Sequence, residues 1–126
     1  MKKIITSPNG PKPIGPYSHA VLAENTLYTS GQVGIDPKTN ELVVGDIKDE
    51  TKQAMLNLKN ILETAGTKMS NIVKATIFLK DLNNFTAMNE VYGSFFESDF
   101  PARETVQVVR LPKDANVEIS VIAVLD

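Results

Sequence analysis

Apolar positions recur along this chain in two periods, and the changes from one to the other divide it into elements. Ile4 and Ile5 make a short β-prone start. The segment SPNGPKPIGP at 7–16 holds four prolines and two glycines, so it can be neither a helix nor a central strand. From Ser18 the pattern predicts a hairpin, with an apolar strand to Ala23, a turn at Glu24 and Asn25, and a strand over Thr26–Val33. In that second strand Leu27, Thr29, Gly31 and Val33 alternate with Tyr28, Ser30 and Gln32. A glycine at such a position marks a bulge or a close approach, either by a ligand or by a packed neighbour.

DPKTNE at Asp36–Glu41 is a turn by composition. After it the period changes to that of a helix. Ile47, Ala54, Met55, Leu58, Ile61, Leu62 and Ala65 fall on one face, with Asp46 as N-cap and Gly66 as the stop. Asp46, Asp49 and Glu50 lie at the positive end of that helix, where complementarity with its dipole accounts for them. Ile72–Lys80 returns to alternation, with Val73, Ala75, Ile77 and Leu79 on the expected core face. A second helix is predicted over Phe85–Glu97, its aromatic stripe of Phe85, Tyr92, Phe95 and Phe96 reading as core. A strand over Thr105–Val109, a turn at LPKDAN (111–116) and a final strand over Val117–Leu125 complete the order.

The order implies an α+β fold in a single domain spanning 1–126, with a five- to six-stranded mixed sheet covered on one face by two helices. The final strand is apolar on both sides, because Ile122 and Val124 accompany Ser120 and Glu118 opposite the Val117, Ile119, Val121 face. Two helices cover only one face, so the other is expected to pack against another copy of the chain.

Composition narrows the chemistry. Thirteen basic residues against fifteen acidic ones give a net charge of −2, without the positive field that drives phosphate-backbone binding, so no nucleic-acid partner is expected. With no cysteine and one histidine, thiolate nucleophiles, disulfides and Cys/His metal sites are excluded by inventory, and no metal or cofactor is expected. The start MKKIITSPNGPKP has no apolar leader and no stretch approaches a membrane span, so a cytoplasmic protein without a membrane partner is expected.

Two charged residues then stand out. Arg103 follows Pro101, which fixes the entry of the chain, and Glu118 is the one charged residue between Val117 and Leu125. Lone carboxylates in apolar runs have a partner or a task. A guanidinium and a half-buried carboxylate on neighbouring elements form either a structural ion pair or a site. Arginine offers a planar fork for a substrate carboxylate, and a carboxylate whose pKa is raised by burial can serve as a general base. Glu104 should point to the opposite face and be solvated. Tyr17, at the end of the proline-rich loop, either hydrogen-bonds a ligand or is a half-buried aromatic. His19 reads as an ordinary polar edge residue at a strand start. GPKPIGP has no helix pattern after it and fails the context test for a phosphate-binding loop.

Three ordered motifs carry a resemblance: IGPYSHA at Ile14–Ala20, TSGQ at Thr29–Gln32, and FPAR, LPKD and VEI between Phe100 and Ile119. Together they resemble the RidA (YjgF) family over essentially the whole chain. The resemblance implies a homotrimer of a chorismate-mutase-like fold, with a cofactor-free site in clefts between subunits. By the same likeness Tyr17, Gly31, Arg103, Thr105 and Glu118 line the cleft, with Asn89 contributed by a neighbouring subunit. It also implies an enamine/imine deaminase acting on a small 2-imino acid. Many relatives have cysteine where this chain has Thr105, so a thiol cannot be essential to a shared activity. The position would serve through its backbone N–H. The segment Glu97–Phe100 is also shorter than in some relatives.

The function expected from residues and resemblance together is hydrolysis of 2-iminobutanoate and 2-iminopropanoate to 2-oxo acids and ammonia. The rival is a regulatory module that binds small ligands in the same cleft without turnover, and Glu118 separates the two, since a carboxylate sensor has little use for a second carboxylate. A nuclease activity fits poorly with the charge balance.

Overall fold

A computed structural model describes all of residues 1–126. Six strands form one mixed sheet in the order β1-β2-β3-β8-β6-β7. They are β1 (Lys2–Ile5), β2 (Ala20–Ala23), β3 (Thr26–Thr29), β6 (Ile72–Leu79), β7 (Ala102–Gln107) and β8 (Val117–Val124). All neighbours are antiparallel except β6 and β7, which run parallel and are connected through α2 (Phe85–Gly93). A two-stranded ribbon, β4 (Ile35–Asp36) with β5 (Glu41–Leu42), closes around the predicted DPKTNE turn. The α+β class, the sheet and its two helices are as the sequence pattern implies. No helix is long and apolar enough to cross a membrane.

The long helix α1 (Ile47–Ala65) is delimited by local chemistry. The Asp46 carboxylate accepts from the backbone N–H groups of Lys48 and Asp49, while Asp49 accepts in return from Asp46 N–H, which satisfies orphan donors of the first turn. At the other end Gly66 takes a left-handed conformation, φ 87°, that a side chain would resist. Between the caps Ala54, Met55, Leu58, Ile61 and Leu62 are buried against Leu27, Ala75, Ile77, Ile119 and Val121 of the sheet. Both helices lie on this one face, and α1 also packs on α2.

Several boundaries differ from expectation, the larger shifts for tertiary reasons. The strand expected over Thr26–Val33 stops at Thr29 and resumes as a single bridge between Gln32 and Ile119. Between them the Thr29 hydroxyl takes over the pairing, accepting from Val121 N–H at 2.9 Å and donating to its carbonyl at 3.2 Å. β2 begins at Ala20 rather than Ser18. α2 ends at Gly93 rather than Glu97, and Phe95 and Phe96 turn back so that Phe96 lies 5.1 Å from the Tyr92 ring. β7 spans Ala102–Gln107, three residues earlier than its β-prone core, because pairing with β6 from Lys74 to Leu79 outweighs the weak propensity of Ala102–Glu104. A bulge between Ile72 and Lys74 also turns Val73 outward, so Ile72 takes the core position expected for it.

Candidate functional site

Partners paired across strands share a face, and this parity decides where the functional side chains go. Arg103 pairs with Ala75, which pairs with Val121; Thr105 pairs with Ile77, which pairs with Ile119. Ala75, Ile77, Ile119 and Val121 form the core beneath the helices, so Arg103 and Thr105 belong to the helix side. Glu118 pairs with Phe78, which pairs with Val106, and these lie on the open side. The expected pair therefore sits on opposite faces, on β7 and β8 with β6 between them. Arg103 and Glu118 form no ion pair in the chain, which corrects the reading of them as a structural pair on neighbouring elements.

Glu118 lines a cleft of about 530 Å³ together with Tyr17, Gly31, Gln32 and Lys113. Half-buried and without an ion-pair partner, its carboxyl is pushed by desolvation above its ordinary pKa. Gly31 makes room for it. A Cβ on Gly31 would stand 2.6 Å from Cδ and 2.8 Å from Cγ of Glu118, closer than side chains tolerate. The close approach read from the glycine is thus made by the glutamate. Gly31→Ala is expected to drive the carboxyl toward solvent, costing about 1–3 kcal/mol in stability and lowering the Glu118 titration toward an ordinary carboxylate. Chemical denaturation and a carboxyl NMR titration check both effects. Unchanged stability with an unmoved titration would refute the contact.

Tyr17 is 49% exposed, and its hydroxyl accepts from Ile14 N–H at 3.3 Å. It shares the cleft with Glu118 because the proline-rich loop, which joins no strand, contributes Pro11, Lys12, Ile14 and Tyr17 to the lining.

Arg103 occupies a second hollow of about 400 Å³ with Asn89, Tyr92, Gly93, Phe100 and Pro101. Its guanidinium donates to Asn89 Oδ1 at 2.5 Å and lies 5.4 Å and 5.1 Å from the ring centroids of Phe85 and Tyr92. Two aromatic faces and an amide orient it, and no carboxylate neutralises it. Phe85, on the exposed end of the stripe, thus supports a cation rather than filling the core, while Tyr92 does both. Burial pushes the Tyr92 hydroxyl up in pKa, with Arg103 opposing the shift. The Tyr92 and Thr105 hydroxyls are both buried without a protein partner. Asn89 belongs with Arg103 of its own chain, a correction to its expected arrival from a neighbour apart from the other residues. The sequence-predicted residues thus form two groups, Tyr17, Gly31 and Glu118 on one side and Arg103, Asn89 and Thr105 on the other. Glu104, exposed and paired with Lys74 at 2.7 Å, is solvated as expected.

Three residues acquire roles that sequence reasoning missed. Glu50 is 3% exposed and holds the turn before β8, accepting from Asn116 N–H at 3.1 Å and Asn116 Nδ2 at 2.5 Å. The helix dipole was a sufficient local explanation and concealed this contact. Lys113, in a left-handed conformation at φ 58°, brings a cation to the lining of the Glu118 cleft. His19 is buried, 2% exposed, and is no edge residue. Its ring binds the backbone of the proline-rich loop.

Residues 7–125 match the family described as Endoribonuclease L-PSP. The chain is 54% identical over 123 residues to a RutC family protein of Pyrococcus horikoshii, covering 98% of each. It is 52% identical over 125 residues to a protein of Dermatophagoides farinae named 2-iminobutanoate/2-iminopropanoate deaminase, covering 99% of this chain and 98% of that one. Among solved structures it superimposes with TM-score 0.97 and 45% identity on YyfA of Yersinia pestis, described as of the conserved Rid protein family, over 99% of this chain and 100% of that one. Escherichia coli TdcF with bound serine gives TM-score 0.94 at 41% identity, over 98% and 99% of the two chains. With motifs, fold and near full-length identity in agreement, the chain belongs to the Endoribonuclease L-PSP family, the RidA (YjgF) family.

Proposed function

We propose that this protein is a cofactor-free deaminase that hydrolyses small 2-imino and enamine acids, 2-iminobutanoate and 2-iminopropanoate among them, to 2-oxo acids and ammonia. The observation that carries this reading is a half-buried carboxyl in the lining of a cleft, held above its ordinary pKa and without an ion-pair partner. Relatives bearing the deaminase name support it.

Each half of the site lacks what the other has. Arg103 is an oriented cation without an anion, and Glu118 is a base without a substrate clamp. A homotrimer would bring the Arg103 side of one subunit against the Glu118 side of the next, and sedimentation of the wild type at micromolar concentration is expected to give a trimer. The open sheet face supplies a surface for such packing, since Ile4, Tyr28, Val106 and Val124 are exposed on it or along its edge. A monomer there would remove this arrangement.

In the assembled cleft Arg103 takes the substrate carboxylate in its fork, with Asn89 fixing the guanidinium and the Thr105 backbone N–H as a further donor. TdcF with bound serine is a relative that holds a small amino acid, the carbon skeleton of such a substrate. Glu118 accepts a proton from water as the oxygen bonds to the imine carbon, and the C=N electron pair moves to nitrogen. The same carboxyl then delivers that proton to nitrogen to give the carbinolamine, takes the hydroxyl proton and passes it to the amino group as well, and the C–N bond breaks so that ammonia leaves as the carbonyl forms. The Tyr17 hydroxyl holds the water or substrate in line. Such imines already react with water, so positioning and one base suffice. Their short lifetime requires the enzyme where they arise, which we take to be the cytoplasm.

The ribonuclease in the family description finds no general acid in His19, whose two ring nitrogens are both engaged. The deciding experiment generates 2-iminobutanoate in situ with a dehydratase and follows ammonia release. Release no faster than in the protein's absence, with 2-oxo acid binding intact, would favour the non-catalytic binding module instead.

A further inference from the structure

The one histidine of the chain takes no part in the chemistry above, yet it is among its most buried polar side chains. Ser7 N–H donates to His19 Nδ1 at 2.9 Å, and Nε2 meets the Pro11 carbonyl at 2.6 Å. An amide N–H only donates and a carbonyl only accepts, so these partners select the neutral ring with its proton on Nε2. The backbone behind the ring is fixed to the body of the fold. The His19 carbonyl accepts from Ser30 N–H at 2.9 Å, and the Ser18 carbonyl from Ser30 Oγ at 2.6 Å.

Beyond the burial of Ser7 and Pro11, the loop that the ring holds makes few hydrogen bonds to the rest of the fold. Residues 6–19 contain no strand or helix, and four prolines remove donors. The backbone hydrogen bonds within the loop are local, Gly10 to Ser7 and Tyr17 to Gly15, and a further tie is the long contact of Asn60 Nδ2 to the Asn9 carbonyl at 3.4 Å. This loop brings Lys12, Ile14 and Tyr17 to the Glu118 cleft.

We propose that His19 is a positioning residue: its neutral imidazole latches the loop carrying Tyr17 and Lys12 onto the Glu118 cleft, and uptake of a second proton by the ring opens the latch. The consequence for turnover rests on the deaminase reading, whereas the latch itself does not. A proton on Nδ1 would point at the Ser7 N–H, replacing a hydrogen bond by two opposed donors in a buried place. Imidazole is the side chain that takes up a proton between about pH 5 and 8. The charged and titratable groups around it are Lys12, which lines the hollows on both sides of the ring, and Tyr17, Lys113 and Glu118 in the cleft.

Glutamine supplies one acceptor and one donor without titrating, so His19→Gln keeps the latch and removes its pH sensitivity. Amide hydrogen exchange in residues 7–17, corrected for intrinsic rates, reads the latch directly in the wild type, His19→Gln and His19→Ala. Between about pH 8 and 5 the wild-type loop is expected to lose roughly tenfold in protection while the sheet keeps its own. His19→Gln stays protected at both ends and His19→Ala is open at both. In turnover His19→Ala raises KM at the pH where the wild-type loop is closed, His19→Gln restores it, and His19→Gln has a shallower acid limb than wild type. Loop protection that fails to follow the NMR titration of the His19 ring, or a His19→Gln loop that opens with the wild type, overturns the proposal. Should His19→Ala not fold, the wild type and His19→Gln decide alone. If exchange behaves as expected while no protein accelerates imine hydrolysis, the latch stands and the deaminase reading fails.

Discussion

Glu118→Gln is expected to lower imine turnover by roughly 10²- to 10⁴-fold, the contribution of one positioned general base, while 2-oxo acid binding is retained. Glutamine keeps the shape and fits the space that Gly31 leaves, so the loss isolates the proton-transfer role. Stability should move the other way. Desolvation holds the Glu118 carboxyl above its ordinary pKa, and a group raised on folding lends stability that is full below its unfolded pKa and lost as pH rises through its folded one. The wild type therefore loses stability across that window between acid and neutral pH. The variant lacks this loss and should melt no lower than wild type at pH 7, with a flatter stability-versus-pH curve. Had Glu118 been half of a buried ion pair, its removal would have cost about 3–5 kcal/mol, but the chain offers it no such partner. Turnover, ligand binding and melting measured on one preparation separate these outcomes. Near wild-type turnover removes the general base, and a collapse in melting temperature restores a structural role.

The parts of the fold that were legible in the sequence are those whose causes are local. The ends of α1 follow from Asp46 and Gly66, whose capping geometry needs only the residues beside them. β7 was displaced because its start depends on β6, with Lys74 setting the register at Ala102, and a poor strand former can be held in place by such pairing. The same dependence governed the site. The residue types were right, but which face Arg103 takes is decided only when its pairing with Ala75 is known, and a shift of one residue would reverse it. Gly31 was visible as an anomaly, while the side chain that requires it stands far away in sequence. Glu50 and His19 show the opposite failure. Each had an adequate local explanation, a helix dipole or a strand edge, and nothing in their neighbours pointed to Asn116 or to the backbone of Ser7 and Pro11.

Arg103 supports the second large expected effect. Arg103→Lys keeps the charge but loses both the planar fork and the stacking between Phe85 and Tyr92, so kcat/KM should fall by about 1–3 kcal/mol in transition-state stabilisation. Arg103→Ala should be nearly inactive yet assembled, because the guanidinium anchors no carboxylate of its own chain. A site shared between subunits then makes a sharper demand. In a trimer whose sites each take Arg103 from one subunit and Glu118 from the next, every mixed ring of Arg103→Ala and Glu118→Gln chains contains one intact site. Unfolding the two inactive proteins together at equal amounts and refolding them should therefore recover about one quarter of wild-type activity, since three quarters of random rings are mixed and each restores one site in three. Two inactive parents that stay inactive after verified mixing would mean that Arg103 and Glu118 do not meet across a subunit boundary. Because the two side chains lie on opposite faces of one sheet, that result would also leave no route by which both could reach a single small substrate.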